Sequence, residues 1–140
     1  MTNTEIERRL LSALHSEGFI EATELLVEEM QESGASIEAV LVFLRFMEEN
    51  PTVEFGMPGP LVHFVEEFYK NGYEAALVES ISRCPTPHTV WMLNRVINGE
   101  KDRTKRESLI EALRMVSLNP TSSEEVVNLS VRFYKIHQKE

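Results

Sequence analysis

PTPHTVWMLNRVING, residues Pro85 to Gly99, is the stretch that decides the fold. Thr86 followed by Pro87 is a helix start: a hydroxyl there accepts from the first free amides, and proline at the first helical position gives up no needed donor. Val90, Leu93, Val96 and Ile97 recur at three- and four-residue spacings, which puts them on one stripe of a helix. Asn98-Gly99 supplies residue types that tolerate a left-handed C-terminal position. Trp91, the only tryptophan, lies beside the stripe. This helix is therefore expected to be central to the fold.

The same signals repeat outward from it. Downstream, Leu109, Ala112, Leu113 and Val116 line one side of a helix that Asn119-Pro120 stops. Thr121 with Glu124 has capping-box spacing and predicts a last helix through Val126, Leu129, Ser130 and Phe133. The terminal KIHQKE is expected to fray. Upstream, Asn71-Gly72 leads into a helix with Tyr73, Leu77 and Ile81 on one face, ended by Cys84-Pro85. Before it, Pro60 starts a helix with Leu61, Phe64, Val65 and Phe68 inward and His63, Glu66 and Glu67 outward.

Three helices are expected ahead of these. Thr4 and Glu7 form a capping-box pair before the stripe Ile6, Leu10, Ala13 and Leu14, which Gly18 ends. Phe19 to Met30 places Leu26 and Met30 on a face with Phe19 and Ala22, and gives much of the rest to Glu21, Glu24, Glu28 and Glu29. Ser36 caps the third, Ile37 to about Glu49, whose interior AVLVFLRFM is apolar nearly all round and broken only by Arg45. A helix without a polar face is covered on several sides, so Val40, Leu41, Leu44 and Met47 are expected in the core, with Phe43 and Phe46 covered by neighbouring helices. The break NPTVEFGMPG, Asn50 to Gly59, carries Val53, Phe55 and Met57 with no helix to bury them. They either fold back over the core or form part of a binding surface.

No stretch alternates apolar and polar residues over a useful length, so no strand is expected. The fold class is all-α: about eight short helices in antiparallel hairpins, one domain over 1–140, either an α-solenoid (HEAT-like) stack or an irregular bundle. A chain of 140 residues is long enough to bury about 70% of its unfolded surface around one core. No apolar run approaches the ~20 residues of a membrane span. The N-terminal MTNTEIERRL lacks the pattern of a secretory signal, and the single cysteine, Cys84, suits a reducing cytosol.

The formal net charge of −9 is uneven. Up to Glu67 there are 14 acidic and 3 basic residues; from Phe68 onward there are 9 acidic and 11 basic. An acidic front half disfavours nucleic acid and favours a basic protein partner, unless these glutamates are simply the solvated faces of helices. The basic cluster KDRTKR, Lys101 to Arg106, has no accompanying aromatic or glycine pattern of a nucleic-acid module and reads as a solvated helix start.

No catalytic constellation is visible. The histidines at 15, 63, 88 and 137 show no metal-binding spacing beyond His63 and Glu66, one helical turn apart, and a single such pair is commonplace. Cys84 and His88 are separated by Pro85 and Pro87, so one continuous helix cannot join them as nucleophile and base. GMPGP lacks the lysine and hydroxyl of a phosphate-binding loop. Asn94 and Arg95 are expected to be structural. No metal, cofactor or catalytic residue is assigned.

Two phrases, GMPGPLVHFVEEFY (Gly56 to Tyr69) and SISRCPTPHTVWMLNRVING (Ser80 to Gly99), resemble small all-helical bacterial immunity proteins of contact-dependent growth inhibition and related polymorphic toxin systems. The resemblance covers about a quarter of the chain and rests on core and turn residues. It implies a cytoplasmic protein that binds one cognate toxin domain, frequently a nuclease, and blocks its active site or substrate groove. It carries over no interface residue. Charge supplies the candidates instead: Glu24, Glu28, Glu29, Glu48, Glu49 and Glu54, with Phe55 beside them, as a patch complementary to a basic partner. The alternative is a helical-repeat adaptor for a protein unrelated to toxins. An enzyme, or an RNA-binding protein acting through Lys101, Arg103, Lys105 and Arg106, is less favoured.

Overall fold

Thr86 sets the start of the central helix in the way its hydroxyl suggests. In a computed structural model describing residues 1–56 and 58–138, its Oγ1 accepts from the Thr89 amide at 3.1 Å, and its own amide donates to Thr89 Oγ1 at 3.1 Å. This capping box precedes one of eight helices among the described residues: α1 (Asn3–Leu14), α2 (Phe19–Glu32), α3 (Ile37–Glu49), α4 (Pro60–Glu66), α5 (Tyr73–Arg83), α6 (Pro87–Gly99), α7 (Arg103–Val116) and α8 (Glu124–Gln138). No strand occurs among the described residues. The protein is all-α.

Contacts sort the chain, expected as one domain, into two compact units, Met1–Tyr73 and Glu74–Glu140. In the first, α1 packs on α2 and α3, and α4 closes the ring by packing on the same two helices. Leu10, Met30, Val40, Phe43, Leu44 and Met47 fill its core. In the second, α6, α7 and α8 each pack on the other two, around Val90, Met92, Leu93, Ile97, Leu113 and Val126. Both arrangements are those of small bundles.

α3 has a narrow outward stripe that its composition conceals. Glu38, Leu41, Arg45 and Glu49 fall along it, and Leu41, expected in the core, is 47% exposed. Leu41 lies one turn from Arg45 and shares its outward direction. Phe43 and Phe46 are buried as expected.

Helix starts differ from expectation at both ends of the chain. Thr2, not Thr4, caps α1, accepting from the Glu5 amide at 3.2 Å. Ser123 Oγ accepts from the Val126 amide at 3.2 Å ahead of α8, while Thr121 donates to Asn119 Oδ1 from its amide at 2.9 Å. At the end of α6 the chain leaves through Glu100 in extended backbone, φ −82°, and no left-handed residue is used.

The C-terminus does not fray where described. α8 runs to Gln138, and His137 is buried. Arg106 Nη2 lies 3.2 Å from His137 Nδ1, and His137 Nε2 lies 2.7 Å from Asn94 Oδ1. Since arginine only donates, Nδ1 accepts and the ring proton sits on Nε2, donated to the Asn94 carbonyl. One neutral imidazole thus ties α7, α8 and α6 together. Lys139 and Glu140 lie outside the described residues.

Candidate functional site

The turn after α3 shapes one wall of a groove in the first unit. Phe55 is fully buried, its ring 5.9 Å from Phe19 and 5.7 Å from Phe46, centroid to centroid. The segment therefore folds back over the core at this residue. The edge-on contact with Phe46 and the tilted one with Phe19 favour a fixed geometry over simple burial. Just beyond, Gly56 adopts φ +90°, and Gly59 approaches so closely that a Cβ would stand 2.0 Å from the Phe55 carbonyl oxygen. Only glycine fits there. Pro60 then starts α4 at its first position.

This turn, α2 and α4 enclose a groove of about 750 Å³. Along α2 it is lined by Ile20, Glu24, Val27, Glu28 and Gln31, and opposite by His63 and Phe64 of α4 and by Glu67 at its C-terminal cap. Val27 and Phe64 are buried at its floor, whereas Glu24, Glu28, His63 and Glu67 are exposed along its rim. Gln31 Nε2 donates to Glu67 Oε2 at 3.0 Å, bridging the two helices. Ile20 to Gln31 spans three helical turns, about 16 Å at 1.5 Å per residue. The site therefore offers a carboxylate rim over an apolar floor.

Of the residues singled out by charge, Glu24 and Glu28 come together in this groove. Glu29 faces elsewhere, forming an ion pair with Arg9 of α1. Glu48 is half-buried and Glu49 exposed at the end of α3, and Glu54 is exposed in the following turn. Phe55 needs correction as a contact residue: its side chain is sealed among rings and offers no surface. Val53 is half-buried, and Met57 lies outside the described residues. Sequence reasoning missed Ile20 and Gln31; it placed His63 and Glu67 outward, as they are, without linking them to α2. The i, i+4, i+7, i+8 series Ile20, Glu24, Val27, Glu28 was the available signal.

The other chemical candidates have quieter surroundings. His63 Nδ1 lies 3.9 Å from Glu66 Oε1. Among the described residues no group of three or more His, Cys, Asp or Glu is placed to hold a metal ion. His88 is buried with its ring 5.6 Å from that of Trp91, and burial lowers its pKa from 6.5 to about 4. The Arg95 guanidinium lies 5.3 Å over the Trp91 ring, a cation–π contact that fits its expected structural role. In the basic cluster, Asp102 caps α7 by accepting from the Lys105 amide at 3.0 Å, and Arg103 pairs with Glu107 at 3.2 Å. The second unit has its own groove between α5 and α7, about 480 Å³, where Met115 and Leu118 are exposed.

Comparison with protein-family models, curated proteins and solved structures finds no match to this chain. No helix among the described residues is long and apolar enough to cross a membrane.

Proposed function

We propose that the chain is a bacterial immunity protein of the contact-dependent growth inhibition or polymorphic toxin kind. It binds a cognate toxin domain in the cytoplasm and neutralises it by covering its active site or substrate groove. The observation that carries this reading is the charge of the first unit. Met1–Tyr73 holds 14 acidic and 4 basic side chains, a balance of −10, while Glu74–Glu140 holds 9 and 10, a balance of +1. A nuclease must attract polyphosphate and so presents a positive substrate groove. An acidic protein imitates that polyanion, is steered to the same groove and excludes the nucleic acid. The resemblance of Gly56–Tyr69 and Ser80–Gly99 to such immunity proteins supplies the biological setting.

Co-expression with the product of the adjacent upstream gene tests the reading. The expected result is a complex that survives affinity purification and a rescue of growth that depends on this chain. Absence of both a complex and a rescue overturns it.

A further inference from the structure

Glu24 and Glu28 stand over an apolar floor in the α2–α4 groove. Its lining repeats along α2 as Ile20, Glu24, Val27, Glu28, with Phe64 of α4 opposite. Ile20 is 39% exposed in spite of its size. We infer that this groove receives a lysine- or arginine-rich amphipathic helix of the partner, with apolar side chains set against exposed Ile20 above the Val27 and Phe64 floor and its cations paired with Glu24, Glu28 and Glu67. The inference rests on the immunity reading only for the identity of the partner.

Three features select this occupant. The carboxylate rim requires positive charge, and a hydrocarbon ligand alone would leave Glu24 and Glu28 facing it across a dry contact, at a desolvation cost. The floor rejects a purely hydrated polycation, since it rewards only side chains that cover it. Two walls, α2 and α4, are helices whose main-chain groups are already hydrogen-bonded within each helix, and the turn that completes the groove is not a strand. An extended peptide would find no edge to pair with there, whereas a helix satisfies its own backbone and needs only side-chain contacts. The length of about 16 Å along α2 matches about three turns of such a helix, enough for anchors at i, i+3 or i+4, and i+7.

The test uses the full chain and a fluorescein-labelled synthetic helix of about 14 leucine and lysine residues arranged with one apolar stripe. Controls are the same residues scrambled to remove the stripe, and a leucine–glutamate helix. Fluorescence anisotropy is expected to show binding of the striped cationic helix alone. Glu24→Lys/Glu28→Lys and Ile20→Asp should each weaken it by about tenfold or more, while Glu7→Lys/Glu17→Lys, with the same change in net charge, should stay within about twofold. Amide shifts in the unsubstituted protein should cluster on α2 and α4, which removes dependence on whether a variant folds. No binding, equal binding of the scrambled peptide, or shifts centred on α5 and α7 overturns the inference. Growth rescue separates the two proposals: groove variants that lose the peptide yet still neutralise the toxin overturn the groove as the docking site and leave the immunity reading intact. Peptide binding with neither a complex nor a rescue from the upstream gene product overturns the immunity reading and supports the groove.

Discussion

His88 and Phe55 show how much of this protein's behaviour is set by single buried side chains. Burial holds the His88 imidazole neutral by lowering its pKa from 6.5 to about 4. Protonation therefore favours the unfolded chain. The contribution is complete above pH 6.5 and is lost as pH falls from there toward 4, in total roughly 3 kcal/mol. His137 shifts downward too, from burial and then from the nearby Arg106, and adds in the same direction. Urea midpoints measured across this window should decline toward acid, and His88→Gln should flatten the decline; a flat profile in the unsubstituted protein would contradict the neutral, buried ring. Phe55→Ala should cost about 3–5 kcal/mol in the same assay, as the cavity would open between Phe19 and Phe46. The sequence left Phe55 open between core and surface because a loop has no periodicity from which to infer a direction. Its burial depends on the ring of Phe46 in the preceding helix and on that of Phe19, much further back in α2.

Helix boundaries separate local information from tertiary information with some clarity. The start of α6 was legible because Thr86, Pro87 and Thr89 act on one another within a single turn. Thr86→Ala should destabilise by about 1 kcal/mol or somewhat more, since the Thr89 amide loses its acceptor in a buried setting, and Thr86→Ser should recover most of that loss in equilibrium unfolding. The first and last caps were misplaced because more than one hydroxyl stands near each helix start, and composition does not rank them. Leu41 was misplaced because a helix with only one charged interior residue hides its outward stripe. The terminal turn of α8 was misjudged for a different reason: the partners of His137, Arg106 and Asn94, lie on other helices. His137→Ala should therefore lower stability and increase amide exchange in the last turn of α8, whereas substitution of exposed Lys135 should do neither.

At the scale of the whole molecule the readable quantity was charge, and its limit was position. The division between an acidic front and a nearly balanced remainder follows from counting, and it coincides with the two compact units. Which glutamates share a surface could not be counted. Glu29 is taken up by Arg9, while Glu24 and Glu28 meet His63 and Glu67 across a groove whose second wall is some 35 residues further along the chain. If charge steers the partner, the association rate should fall by about tenfold or more between ~50 mM and ~500 mM salt while dissociation changes less. Stopped-flow mixing with the proposed toxin partner measures both, and an association rate indifferent to salt would count against steering. The crowded turn beside the groove has a further bearing on such experiments. A library screened only for survival of the fold will reject every replacement of Gly59 as firmly as it rejects a small residue at 55, because the intruding methyl would meet a carbonyl oxygen. Intolerance at that position will therefore report main-chain crowding, and should not be mistaken for the footprint of a bound partner.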